Sequence, residues 1–199
     1  GTLVIPGNID IHKEAKINWE GDIIVAPSGT GKAILDLHED AEINVKGNLV
    51  LIADPDGKGE VALDPGKGSK VTVTGGPDGS GGYEDGGSLM VIQTAESKAS
   101  IRTDGGGDIS VKGVAAMLGY DIEFFLDGGS GQDPDRSKFE LYGTMVMATP
   151  DYSKSMHRFR LNANADADIT FRHSALEAGA NAAERGPKNA NPDYPPPNE

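Results

Sequence analysis

The residues able to hold a metal ion or move a proton fall in a few short stretches of this 199-residue chain. Asp54-Pro55-Asp56-Gly57-Lys58-Gly59-Glu60, with Asp64 beyond, sets carboxylates around a glycine turn. Calcium takes about six to eight oxygens, and such a loop can supply several of them. Asp54, Asp56 and Glu60 are the candidate metal ligands and could hold calcium; no cofactor is otherwise expected. Lys58 stands where a further oxygen would help, and Asp, Pro and Gly also build ordinary turns. His12 and His38 occupy equivalent positions of a repeat, which sets their imidazoles one coil apart, about 4.8 Å. Two stacked imidazoles could share a metal, although repetition alone explains their recurrence. His157 and His173 complete the histidines.

Other stretches imitate sites. Pro27-Ser28-Gly29-Thr30-Gly31-Lys32-Ala33 has the look of a phosphate loop, but Ala26 replaces the first glycine and Ala33 the metal-binding hydroxyl. It joins two expected strands and opens no helix, so it reads as a turn. Asn162, Asn164, Asp166 and Asp168 alternate with alanines, which lines four oxygen-bearing side chains along one strand face. That row suits a cation, a sugar or plain solvent, and residues 127–135 form another Gly/Asp loop with the same readings. No serine nucleophile pairs with a histidine, and no carboxylate dyad is evident. Asp10, Asp36, Lys13 and Glu39 mimic the charged face of polysaccharide lyases and hydrolases built on β-helices, yet they are ordinary outward residues. Thr72 and Thr74 share a coil, but Asn18, Asn44, Ser110 and Glu140 hold the equivalent positions, so no ice-binding threonine array exists. The expectation is a protein that is not an enzyme and has no catalytic residue.

The elements that position these residues follow from a repeat. Ile9 to Gly21 matches Leu35 to Gly47 with identical or similar residues at nearly every position, at an offset of 26. A motif of apolar, polar, apolar, polar, glycine returns at Val71–Gly75, Ile109–Gly113 and Phe139–Gly143, and in degenerate form at Ile169–His173. Each unit has a short alternating piece, a turn, a second alternating piece ending at the glycine, and then a denser apolar run such as Ile23-Ile24-Val25. Alternation at period two marks strands with one face inward. Three such strands per repeat describe a coil of a solenoid, in which each coil touches only its neighbours. An antiparallel sandwich has similar turns but no reason to repeat a three-part unit. The sequence therefore predicts an all-β, right-handed parallel β-helix (β-solenoid) of about six coils over residues 1–173. Glycine suits its corners because it accepts φ > 0.

From Ser174 the composition shifts. Ser174 and Glu177 have capping-box spacing ahead of helix formers, which predicts a short helix or cap over residues 174–186. Residues 187–199, with Pro195-Pro196-Pro197, predict an extended tail.

Composition excludes several classes. There is no cysteine, and the net charge is -13, which argues against nucleic acid and anionic lipid as partners. No run approaches the roughly 18 apolar residues of a membrane helix, so no membrane contact is expected from this segment.

The repeat, above all Ile9 to Gly21 and Leu35 to Gly47, resembles the β-helical ectodomains of type IV pilus-assembly proteins that accompany minor pilins. It resembles more distantly the bactofilins, which form polymers. The stretch Asp168–Leu176, followed by Asn191-Pro192 and the three prolines, is similar to the closing strand and proline-rich end of the first group. The resemblance implies an extracellular or cell-surface structural and adhesive module that presents inserted loops to pilus or cell-surface proteins or to extracellular polysaccharide. Tyr83 and Tyr152, in or beside those loops, are then the candidate sugar-stacking residues. The alternatives are a self-assembling scaffold, for which a homo-oligomer is expected, and a polysaccharide-active enzyme.

Overall fold

In the computed structural model, residues 1–54, 56–75, 86–103, 105–127 and 136–149 are described, together with the strands Arg158–Ala163, Asp168–Phe171 and Leu176–Ala178. Every element among them is a strand, and every strand pairing is parallel. The first coil runs β1 (Thr2–Ile5), β2 (Ile9–Ile11) and β3 (Lys16–Glu20), and the second β4 (Asp22–Val25), β5 (Ala33–Leu37) and β6 (Glu42–Lys46). The third is β7 (Leu49–Ile52), β8 (Val61–Pro65) and β9 (Lys70–Thr74). The fourth is β10 (Leu89–Ile92), β11 (Lys98–Thr103) and β12 (Asp108–Val111). The fifth is β13 (Ala115–Leu118), β14 (Asp121–Leu126) and β15 (Lys138–Leu141), and the sixth β16 (Met145–Ala148), β17 (Arg158–Ala163) and β18 (Asp168–Phe171). A last strand, β19 (Leu176–Ala178), begins a seventh. Each strand pairs with the one three places on, so the chain winds through three parallel sheets. It is a parallel β-solenoid.

The expected repeat is the observed register. Ile9 pairs with Leu35, Ile17 with Ile43, and Val71 with Ile109 and Ile43. Inward positions stack apolar residues coil on coil. One column runs Ile17, Ile43, Val71, Ile109, Phe139 and Ile169, and another Leu3, Ile23, Leu49, Leu89, Ala115 and Met145. From the second coil to the fifth these side chains are almost wholly buried. Phe124 and Phe139 meet edge to face at 4.8 Å in the fifth coil, the preferred arrangement for an aromatic pair.

The glycine corner between the third sheet (β3, β6, β9, β12, β15 and β18) and the first (β1, β4, β7, β10, β13, β16 and β19) has a reason beyond the expected one. Gly21 does take φ +127, but Gly113 and Gly143 are held by close approach. A Cβ on Gly143 would lie 2.0 Å from the carbonyl oxygen of Gly113, and one on Gly113 would lie 2.6 Å from that of Gly87. At the insertion, Gly87 packs against both Thr74 and Gly47. Thr74 and Gly87 therefore meet at a single corner.

The expected helix or cap is corrected in part. Within residues 174–186, Leu176–Ala178 is a strand and not a helix, in register with Met145–Met147. The edge of β16 offers a row of unpaired N–H and C=O groups, and satisfying them outweighs the local preference for a helix. The rest of the cap segment and the tail lie outside the described residues.

Candidate functional site

Three outward surfaces carry chemistry. On the second sheet (β2, β5, β8, β11, β14 and β17), Asp10, Asp36 and Asp64 stand in one register column. His12 and His38 follow directly after β2 and β5 and open equivalent turns: Ala15 N donates to His12 O at 3.0 Å, and Ala41 N to His38 O at 3.0 Å. Glu14 and Asp40 hold the left-handed position of these turns, at φ 62 and 58. The two imidazoles are stacked as the repeat predicts, with centroids 5.7 Å apart and planes 18° apart. His38 Nε2 lies 2.7 Å from Asp10 Oδ1, so the imidazole bridges two coils. One donor atom each of Asp10, His12 and His38 lies within 4.8 Å of the others, and all three residues are exposed.

The calcium candidates are differently occupied. Asp54 Oδ2 accepts from Gly29 N at 2.9 Å, and Oδ1 accepts from Asp56 N at 3.0 Å. These two amide bonds hold the Asp54 carboxyl below the usual aspartate range. The carboxylate closes its own turn and ties it to the turn of the coil before. Glu60 faces Lys32 at 3.8 Å, and Asp56 is exposed. Among the described residues, Asp54, Asp56 and Glu60 do not form a three-ligand group, whereas Asp10, His12 and His38 do. Tyr83 and Tyr152, the row Asn162 to Asp168 apart from its strand positions, and residues 128–135 lie outside the described residues.

Sequence reasoning missed two surfaces. The outer face of the third sheet carries a register column of alternating charge: Lys16, Glu42, Lys70, Asp108 and Lys138. Lys16 and Glu42 pair at 3.1 Å. Further ladder contacts join Asn18 to Asn44 at 3.0 Å and Glu20 to Lys46 at 3.3 Å. Midway, a shallow cleft of about 160 Å³ is lined by Lys70, Thr72, Asp108, Ser110, Lys138 and Glu140. Asp108 is half-buried there, and its Oδ1 has no hydrogen-bond partner among the described residues. Burial pushes its carboxyl above the usual range, against the pull of Lys138 and Lys70.

The outer face of the first sheet is apolar. Val4, Ile24, Val50, Met90, Ala116 and Val146 form one outward column, and Ile52, Ile92, Leu118 and Ala148 a second. Val4 is 58% exposed and the others are partly exposed. The signal was present in the sequence as the denser apolar runs, apolar at consecutive positions where one-sided burial needs only alternate ones.

No protein family, curated protein or solved structure matches the chain.

Proposed function

We propose that this chain is a non-catalytic structural and adhesive module of the cell surface, associated with a pilus or a comparable extracellular assembly, that docks through the outer face of its first sheet. The observation that carries this reading is the contrast between outward faces. The third sheet displays alternating charge, while the first displays one uncharged column across six coils and a second across four. At about 4.8 Å per strand and 3.3 Å per residue, the apolar strip covers on the order of 350 Å². That is the size of the largest apolar patch on an ordinary soluble monomer, which is often functional. It is well below the roughly 800 Å² per partner of a standard stable interface, so the contact is weak singly and gains strength from repetition or from flanking loops. A β-solenoid suits this role because its rigidity comes from stacking and needs no ligand.

The test compares the wild-type chain with a Val50→Lys/Met90→Lys double variant. Both positions face outward, so the fold is retained and circular dichroism verifies it. Binding to cell-envelope fractions and to insoluble extracellular polysaccharide that the wild type shows and the variant lacks supports the reading. Equal binding by both places the contact elsewhere and overturns it. Release of unsaturated products from an acidic polysaccharide would make the protein an enzyme and overturn it as well.

A further inference from the structure

We propose that Asp10, His12 and His38 form a binding site for a late first-row divalent cation, zinc or copper(II), that clips the first coil of the solenoid to the second. The residue types select the metal. Two imidazole nitrogens with one carboxylate suit zinc or copper, whereas calcium and magnesium demand oxygen.

The backbone brings the three donors together without help from the metal. Asp10 and His12 are two residues apart and so share the outward side of the strand line. The pairing of Ile11 with Leu37 then sets His38 beside His12 on the next coil. Equivalent turns fix both histidines at their first position. In a tetrahedral site with bonds of about 2.0–2.1 Å, ligand atoms stand roughly 3.3 Å apart. His38 Nε2 and Asp10 Oδ1 are already at 2.7 Å, and the full set lies within 4.8 Å. Both rings are exposed, so His12 closes the remaining gap by side-chain rotation, which turns the near-parallel stack into a converging pair. The remaining coordination position is open to water.

Two further features favour a cation over an accidental stack. Asp36 stands in register with Asp10 and adds negative charge beside the cluster, while the neighbouring Lys13 is engaged by Glu39 at 2.8 Å. Furthermore, the imidazole column stops after two members. Leu37 pairs with Pro65, so the third coil carries Gly66 at that place, where a Cβ would meet Leu37 O at 2.7 Å. The pair is therefore a discrete site and not one stretch of a continuing ladder.

The experiment is calorimetric titration of the intact chain with Zn²⁺ alone in a non-chelating buffer near neutral pH. Saturable uptake of one ion per chain at or below about 0.1 mM is expected. His38→Ala, His12→Ala and Asp10→Asn should each weaken it by roughly tenfold or more without changing the circular dichroism. A His157→Ala/His173→Ala variant should bind as the wild type does, because the proposed donor set is Asp10, His12 and His38. Millimolar calcium should not displace zinc. The proposal is overturned if the wild type takes up no zinc, if the cluster variants bind unchanged, if the His157/His173 variant loses binding, or if calcium competes. Bound zinc should also raise the melting temperature of the wild type and leave that of His38→Ala unmoved.

Discussion

Gly143 sits so close over Gly113 that a Cβ on the upper residue would lie 2.0 Å from the carbonyl oxygen of the lower. The strand ladders hold these two coils at a fixed spacing, and a side chain at this corner would force them apart. Gly143→Ala should therefore destabilise the chain by about 2–4 kcal/mol in a denaturant melt. Gly7→Ala is the control, since nothing lies within 4 Å of that position. It should shift stability by no more than about 0.5 kcal/mol. Equal costs at the two sites would mean that close approach is not what keeps glycine at the corner.

The alternating column on the third sheet yields a second expectation. Lys70 pairs in register with Glu42 below and Asp108 above. Lys70→Glu would create three stacked acids in a chain already at net charge -13. Directly opposed like charges are unfavourable by a few tenths to about 1 kcal/mol per pair, so a loss of about 1–2 kcal/mol is expected at low salt. Lys70→Met should lose less. The difference between the two variants should shrink by roughly half in about 0.5 M salt, where screening acts within a few ångströms. A salt-independent loss would mean that the lysine matters for packing and not for charge.

Asp108 shows the limit of that ladder. Burial raises its pKa more than Lys138 and Lys70 lower it. An acid with a raised folded-state pKa binds its proton more tightly when folded, so stability falls as pH rises through that value. Asp108→Asn should therefore raise the melting temperature at pH 7. The gain should vanish in acid, where the wild-type carboxyl is protonated in both states. A variant less stable than wild type at pH 7 would show that the flanking lysines outweigh burial.

Much of this architecture was legible because the first two coils differ by a clean 26 residues, and Ile9–Gly21 aligns with Leu35–Gly47 position by position. The stacking of His12 on His38 followed from that alignment alone. The bridge from His38 to Asp10 did not, because it depends on a side-chain reach from one coil to the next. The charge column was hidden by the uneven repeat spacing, since Lys70 and Asp108 stand 38 residues apart and still pair in register. Ser174 and Glu177 have a capping-box spacing that any isolated peptide would favour. Leu176–Ala178 instead extends the first sheet, since an open strand edge decides the outcome after the fold exists. Two buried polar clusters were also invisible. Thr103 Oγ1 meets Ser137 Oγ at 2.9 Å beside residues 128–135, and Gln93 donates to the Gly59 carbonyl beneath the Asp54 turn. Both support the starts of loops, and neither has a sequence signature at a fixed spacing.

The Asp54 turn provides the acid-side prediction. Its carboxylate accepts amide bonds from Gly29 and Asp56, which lower its pKa from the ordinary value of 3.8. A carboxyl with a depressed folded-state pKa contributes stability above its unfolded value, and that contribution is lost as pH falls through the folded value. The window therefore opens just below pH 3.8 and extends downward. Asp54→Asn keeps an acceptor oxygen but removes the charge, so it should be less stable than wild type at pH 5 and converge on it in stronger acid. Because the group is exposed, the gap should be small and should narrow with salt. Melting curves at pH 5 and in stronger acid, with and without millimolar calcium, separate the two roles of this turn. A gap that calcium does not widen fits a carboxylate engaged by Gly29 and Asp56. A gap that appears only with calcium would make Asp54 a ligand, with Asp56 and Glu60 the next residues to replace.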